Sequence, residues 1–303
     1  MPLPNSVTVY PAHGAGSACG KNMSSETIGN LGEQKETNYA LRADMTKEEF
    51  IKEVTTGLAP PPQYFGNNVR MNKGVNTSID TILHKGTTPI DADTFKEMSE
   101  QKDILVIDTR NVATFTEEGT VPGAWFIGVD GGFAPWVGAL VKDINQKIIF
   151  IAEEGREHEV VTRFSSVGYD NTLGYLRGGI HSWKAAGHKI DKVASISAIQ
   201  FASMLKDGTM EMPLDVRKES EYLSEHVVGI ENFPLDTIHS NFAELNPNKK
   251  YFLHCAGGYR SLIAASILKS NGISNVTDVR GGFTDIKETG VELTDYVCPT
   301  TLL

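Results

Sequence analysis

The stretch YFLHCAGGYRSLIAASILKSNGISNVTDVRGGF, residues 251–283, decides how this chain is to be read. The apolar residues Tyr251 to Leu253 predict a short strand, and Cys255 to Arg260 a glycine-rich connecting loop. From Ser261 onward, apolar positions recur at three and four, which predicts a helix that Gly272 can terminate. VTDV, residues 276–279, predicts a second strand before a glycine pair. Strands alternating with helices of this length imply right-handed crossovers and a mostly parallel sheet covered on both faces.

The same unit is written a second time upstream. IIFIAEEGREHEVVTRFSSVGYDNTLGYLRGGIHSWKAAG, beginning at Ile148, pairs with the forty residues from Tyr251. Gly155 answers Gly258, Gly178 answers Gly281 and Gly187 answers Gly290, each 103 residues apart. Further toward the amino terminus, ILVIDTRNVATF (residues 104–115) answers MPLDVRKESEYL (residues 212–223), with Asp108 and Asp215 107 residues apart. GTVPGAWFIG answers EHVVGIENFP, with Gly123 and Gly229 106 residues apart. Several landmarks in one order at nearly one spacing identify a duplication. The chain is therefore expected to be α/β, with tandem domains over residues 86–192 and 193–296. In the second copy, Ser197 and Gln200 read as a capping box that opens the helix AIQFASMLK, and PLDV reads as a strand.

Composition narrows the function classes. The chain has 303 residues and a formal net charge of -10, with no long basic block, so nucleic acid is not an expected partner. No apolar run approaches the roughly 18 residues needed to cross a bilayer, and the first residues lack the pattern of an export signal. Three cysteines, Cys19, Cys255 and Cys298, are too few and too scattered for a disulfide framework, which fits a reducing, cytoplasmic setting.

Cys255 is the cysteine with a chemical context. In open parallel sheets, ligands sit beyond the carboxyl ends of the strands, and the Cys255–Arg260 loop occupies that kind of place. Gly257 and Gly258 permit backbone angles that turn successive N–H groups inward as an anion-binding nest. An ordinary thiol ionises near 8.5 and is only a few per cent thiolate at neutral pH, so a nucleophile here needs donors that favour the anion. A helix N-terminus supplies only about 0.3–1 kcal/mol, which leaves the remainder to inward N–H groups and Arg260. The competing reading is a small hydrophobe packed at a strand end beside an ordinary turn. The combination of strand, cysteine, glycine pair, arginine and helix favours the nucleophile.

The second copy resembles a rhodanese domain through LDVRKESEY (residues 214–222), EHVVGIENFPL (225–235), HCAGGYRS (254–261) and VRGGF (279–283). The resemblance implies a sulfurtransferase without a cofactor. It would take sulfane sulfur from a small anionic donor, thiosulfate or a low-molecular-weight persulfide, onto Cys255, and hand it to a thiol acceptor. It makes Cys255 and Arg260 catalytic, places Ala256, Gly257, Gly258, Tyr259 and Ser261 around the substrate, and gives Asp215 and Arg217 a supporting role, with Glu221 a structural partner. Where the family often has a proline, EHVVG carries Val228, a departure expected to alter a loop and not the chemistry. A persulfide carrier or regulatory module without turnover is the main alternative. A phosphatase or arsenate reductase is a weaker one, because those relatives place five residues between cysteine and arginine and this chain places four, Ala256 to Tyr259.

In the first copy, Ala152 stands opposite Cys255, Glu153 and Glu154 opposite Ala256 and Gly257, and Glu157 opposite Arg260. It resembles an inactive rhodanese domain kept for packing, positioning or partner binding, with an anionic loop that would repel thiosulfate. Residues 1–80 do not repeat. VTVYPAHGAGSACGKNMSSETIGNLGEQKETNYAL, residues 7–41, resembles the last part of a metallo-β-lactamase-fold domain as fused to rhodanese domains in persulfide dioxygenase-like proteins. His13 would lie at the metal cleft of such a domain, but there is no His-x-His-x-Asp-His run to accompany it, so no metal is expected. Thr46 and Glu49 read as a capping box opening a further helix, and GLAPPPQYFG as a linker. The expected partners beyond the substrates are a second copy of the chain or a missing metallo-β-lactamase-fold domain.

Overall fold

A computed structural model describes residues 3–10, 28–55 and 77–297, together with Gly66 and Val69. His13, Cys19 and Cys298 lie outside the described residues, and so does most of the expected linker. Near the amino terminus, β1 (Thr8–Val9) pairs antiparallel with β2 (Gly29–Asn30), and the Asn30 side chain caps the helix Leu31–Thr37. The Thr46 and Glu49 box is formed, with the Thr46 N–H donating to Glu49 at 2.8 Å and the Glu49 N–H to Thr46 Oγ1 at 3.2 Å. It opens the helix Lys47–Thr55.

Pro62–Val297 form one compact unit that holds both copies. The first sheet contains β3 (Pro89–Ile90), β4 (Ile104–Asp108), β5 (Trp125–Phe126), β6 (Lys147–Ile151) and β7 (Thr172–Leu176), in the order β3-β7-β6-β4-β5. The second contains β8 (Ala194–Ile196), β9 (Met212–Asp215), β10 (Glu231–Asn232), β11 (Tyr251–His254) and β12 (Val276–Val279), in the order β10-β9-β11-β12-β8. Every pairing in both is parallel, and the two orders are the same topology read from opposite ends. The central strands β6 and β11 read KIIFI and YFLH, apolar on both faces, because helices cover both sides of each sheet.

The expected elements of the second copy are present. Ser197 and Gln200 form their capping box ahead of the helix Ala198–Lys206. The helix predicted from Ser261 begins two residues earlier and runs Tyr259–Ser270, so that Tyr259 and Arg260 belong to its first turn and not to the loop. Gly272, at φ 91°, ends it, with its N–H on Lys269 O and the Ile273 N–H on Leu268 O.

This helix is apolar all round, and Ser261 to Leu268 are buried without interruption. The reason is that it is covered twice, by its own sheet and by the first copy. Leu214, Leu253, Leu262 and Ile263 join Phe126, Phe133, Val137 and Leu140 in one hydrophobic core. At this seam the first sheet ends in the edge strand β5, whose free N–H groups need partners. The helix provides one: the Phe126 N–H donates to Ser266 Oγ at 2.8 Å, and the Trp125 indole donates to Ser270 Oγ at 2.8 Å. Lys269 closes the seam with a 2.7 Å ion pair to Asp191. Among the described residues no helix is long and apolar enough to cross a membrane.

Candidate active site

The site begins where β11 stops. The Val216 N–H donates to His254 O at 2.9 Å, the last bond of the β9–β11 ladder on this side, and Cys255 follows. His254 is fully buried between Phe201 and Phe283, and neither ring nitrogen has a hydrogen-bond partner. Burial pushes its pKa down, so the imidazole is neutral and serves as packing.

Beyond Cys255 the loop is held from behind. The Phe283 N–H donates to Cys255 O at 2.6 Å, and the Thr284 N–H and hydroxyl donate to Ala256 O at 3.0 and 2.9 Å. These groups belong to the first turn of the helix Gly282–Lys287, which meets the loop so closely that a Cβ at Gly282 would lie 2.4 Å from Cys255 O. With the Cys255 and Ala256 carbonyls tied back, one loop N–H, that of Gly258, is turned to the sulfur. Gly258 makes the turn at φ 96°, and its N–H lies 3.1 Å from Cys255 Sγ. Of the glycine pair only Gly258 has a positive φ, so Gly257 does not need the conformational freedom expected of it. Gly257 is exposed and Ala256 half-buried, whereas Cys255 is only 1 % exposed.

Ser261 supplies a second donor, with Oγ 3.6 Å from Sγ. Asp278, a carboxylate on β12, is buried, and its Oδ1 has no hydrogen-bond partner. Burial raises the Asp278 carboxyl to about 7, against the opposing effects of the Ser261 hydrogen bond and the Arg280 charge.

Arg260 differs from expectation in its partner. Its guanidinium is bonded not to sulfur but to Glu221, at 2.5 and 2.8 Å. Burial acts to raise the Glu221 carboxyl, but the hydrogen bonds and charge of Arg260, joined by the Lys218 N–H and the Arg217 charge, offset it and leave the carboxyl below its usual value. Arg260 therefore reaches Cys255 as a partly neutralised charge at a distance and not as a direct donor. Glu221 is thereby taken up in an ion pair with Arg260.

Asp215 and Arg217 form a buried pair at the end of β9. Arg217 Nη2 lies 2.6 Å from Asp215 and 2.8 Å from Glu225 O, while its guanidinium lies 3.8 Å from the centre of the Phe283 ring. The backbone N–H of the same Phe283 donates to Cys255 O, so the pair and the loop contact one residue.

Tyr259 is committed to the first copy. Its hydroxyl donates to Gly128 O at 2.8 Å, and its ring packs edge-on to Phe126 and so tightly on Gly131 that a Cβ there would lie 2.3 Å away. Burial first, then the nearby Asp130, raise its pKa, so the phenol stays protonated.

The corresponding loop of the first copy has the same turn, with Gly155 at φ 83°, but Ala152 in the place of Cys255. The expectation of an unrelieved anionic loop is corrected by Arg156, which bonds Asp130 at 2.7 and 2.9 Å and Glu159 at 2.9 Å. Glu153 is also engaged, accepting from the Asn111 N–H at 3.2 Å and from the Asn111 side chain. Glu154 is exposed.

Sequence reasoning gathered Cys255, Gly258, Arg260, Ser261, Asp215 and Arg217 into one neighbourhood, and the structure brings them together. It missed Asp278 and Thr284. An aspartate between valines in the short strand VTDV is the signal that could have found the first, since buried carboxylates are rare without a partner. No comparable signal marked Thr284.

The model of the rhodanese-like domain family matches this chain twice, over residues 91–186 and 197–289. YrkF of Bacillus subtilis (strain 168), provisionally named a sulfur carrier protein, is 31% identical over 109 residues, which are 36% of this chain and 57% of that protein. This chain spans 57% and 56% of the length of the two curated relatives it matches. Among solved structures, a rhodanese-like domain protein from Staphylococcus aureus is 29% identical over 34% of this chain and 100% of its own, with a TM-score of 0.31. The thiosulfate sulfurtransferase of Pseudomonas aeruginosa is 18% identical over 69% of this chain and 44% of its own, with a TM-score of 0.32.

Proposed function

This chain belongs to the rhodanese-like domain family, with two copies of the domain, and on that premise we propose that its second copy moves sulfane sulfur through Cys255. The observation that carries the reading is the Gly258 N–H 3.1 Å from Sγ, in a loop whose carbonyls are tied back by Phe283 and Thr284. A donor fixed before the reaction costs no reorganisation when negative charge develops on sulfur.

The Cys255 thiolate attacks the outer sulfur of thiosulfate or of a low-molecular-weight persulfide. The donor's S–S bond breaks, sulfite or a thiolate leaves with the electron pair, and the terminal sulfur of the Cys255 persulfide carries the negative charge. An acceptor thiolate then attacks that terminal sulfur, and Cys255 leaves as thiolate. The Gly258 N–H and the Ser261 hydroxyl favour the anion at both ends of the cycle, while the Arg260–Glu221 pair and the Asp215–Arg217 pair hold the loop. The first copy has only Ala152 at the corresponding position and acts as a scaffold.

Intact mass after incubation with thiosulfate or glutathione persulfide tests the reading. A reducible gain of one sulfur atom is expected, absent in Cys255→Ser and released by cyanide as thiocyanate. No gain with either donor sinks it. The name of YrkF favours a second version of the same chemistry, a persulfide carrier. Stable persulfidation of Cys255 without repeated thiocyanate release would select the carrier over the enzyme.

A further inference from the structure

We propose that Arg280 receives the anionic half of the sulfur donor beside Cys255: the sulfite oxygens of thiosulfate or a carboxylate of a peptide persulfide. The inference rests on the reading of Cys255 as a sulfur-accepting thiolate and deepens it by naming what holds the donor. A thiolate and an anionic donor repel each other, so their meeting calls for a cation that is not already neutralised.

Most cations around the loop are neutralised. Arg260 lies 2.5 Å from Glu221, Arg217 is buried 2.6 Å from Asp215, and Lys287 lies 2.5 Å from Glu225. Ala256 and Gly257, the loop residues open to solvent, carry no charge. Arg280 is exposed, and among the described residues no ion pair or side-chain hydrogen bond engages it.

Strand register sets this arginine next to the thiol. Tyr251, Phe252 and Leu253 of β11 pair in parallel with Val276, Thr277 and Asp278 of β12, so two places further on Cys255 stands beside Arg280. Neighbouring strands lie about 5 Å apart. The outer ladder of β12 still holds at this position, where the Arg280 N–H donates to Ile196 O at 3.0 Å. Side chains alternate between the faces of a sheet. Leu253, Cys255 and Val276 share a core with the helix Tyr259–Ser270, whereas Val279 joins Phe201 and Phe283 in the core of the opposite face. Arg280 therefore leaves the sheet on the face that holds Cys255, past the end of β12, where that helix begins. The two turns also approach closely, since a Cβ at Gly258 would lie 3.7 Å from Gly281 N.

On the other side of β11 the register sets the apolar Val216 beside Cys255. Of the nearby carboxylates, Asp278 is buried two residues back and Asp285 lies over Gly281, and neither is ion-paired with Arg280. A guanidinium offers two parallel N–H donors that match the oxygens of sulfite or of a carboxylate. When thiosulfate reacts, its S–S bond breaks, the electron pair goes to sulfite, and Arg280 faces the oxygens over which that charge spreads. In a peptide persulfide the pair goes to the leaving sulfur, and Arg280 holds the carboxylate that positions it. The first copy keeps an arginine at the same register place, Arg177, but beside Ala152, with no thiol to serve.

The test is alkylation at the Cys255 peptide of the full chain by two reagents of similar size, the anion iodoacetate and the neutral iodoacetamide. The ratio of their rates at low salt reports the positive charge at the sulfur, because a change in thiol ionisation affects both alike. Arg280→Gln should lower the ratio roughly threefold to tenfold, as loss of one nearby unit charge does. Arg280→Lys should restore most of it, and Lys218→Gln, an exposed cation beyond Val216, should leave it unchanged. Persulfide formation, read as the gain of one sulfur atom in intact mass, should slow in Arg280→Gln with thiosulfate or glutathione persulfide and hold with cysteamine persulfide, which has no oxyanion. Slowing with thiosulfate alone assigns Arg280 to the sulfite oxygens, and with glutathione persulfide alone to a carboxylate. An unchanged ratio in Arg280→Gln, an equal fall in Lys218→Gln, or equal slowing with cysteamine persulfide overturns the proposal. Alkylation needs no sulfur donor, so a wild type that forms no persulfide yet shows the ratio shift breaks the sulfur-transfer reading and leaves Arg280 as the cation that draws anions to Cys255.

Discussion

At the end of β6 the chain runs Ala152-Glu153-Glu154-Gly155-Arg156-Glu157, and at the end of β11 it runs Cys255-Ala256-Gly257-Gly258-Tyr259-Arg260. Both turns pivot on a glycine with positive φ, and both are backed by a buried aspartate–arginine pair, Asp108–Arg110 and Asp215–Arg217, at 2.6 Å. The frames agree and the contents differ. In the first loop Arg156 gathers Asp130 and Glu159 into an ion-pair cluster at the surface. In the second, the residue at that position, Tyr259, leaves its own copy and bonds Gly128 of the other. A duplicated fold has thus kept one loop for a buried thiol and turned the other copy into the wall against which that loop's helix is packed.

The largest expected effect probes that wall. Phe126 lies on the first sheet, is fully buried, and packs on Phe115 at 4.4 Å and on Tyr259 at 5.8 Å between ring centres. Phe126→Ala should cost about 3–5 kcal/mol, as other buried Phe truncations do. All three tryptophans, Trp125, Trp136 and Trp183, belong to the first copy and Cys255 to the second, so fluorescence and alkylation followed at the Cys255 peptide report on the two copies separately. Because the core is shared, both signals should shift to lower urea together. A Cys255 transition that stays at its wild-type midpoint while fluorescence moves would show the copies to be independent.

Asp278 against Tyr175 gives an effect that grows with pH and has a definite sign. The Asp278 carboxyl is raised to about 7 by burial, whereas an unfolded aspartate titrates near 4. Between these values the folded protein retains a proton that the unfolded chain has released. Its contribution to stability is therefore full below about pH 4 and lost as pH rises toward 7, with a slope of up to about 1.4 kcal/mol per pH unit. Asp278→Asn should remove that slope, gaining on the wild type in urea midpoint from pH 4 to 7 and holding the gain above it. Parallel curves for the two proteins would mean that the carboxyl is not held protonated by burial.

Much of this was legible in the sequence. The order of strand, loop and helix, the box at Ser197 and Gln200 and the stop at Gly272 are local, each set by residues a few positions apart. What escaped is contact across long separations. Glu221 meets Arg260 39 residues away, and Tyr259 meets Gly128 131 residues away, and neither distance leaves a periodic trace in the chain. One trace was present and read too narrowly. Leu262, Ile263, Ala264, Ala265, Ile267 and Leu268 surround their helix instead of lining one face, which signals burial on two sides. The i, i+3 pattern was enough to name the helix but not to ask what covered its far side.

The smallest effect isolates the hydroxyl by which the second loop is tied to the first copy. Tyr259→Phe keeps the ring against Gly131 and Phe126 and removes only the 2.8 Å bond to Gly128 O. A single neutral hydrogen bond is worth about 0.5–1.5 kcal/mol net, so the urea midpoint should fall modestly. The Gly258 N–H and the Ser261 hydroxyl, which face Sγ, are untouched by the change, and the rate of Cys255 alkylation at neutral pH should stay as it is. That combination, a stability loss without a change in thiol reactivity, is what a packing anchor predicts. A changed alkylation rate would mean instead that the first copy sets the position of the loop through this one bond, and the two copies would then differ not as site and wall but as two halves of one site.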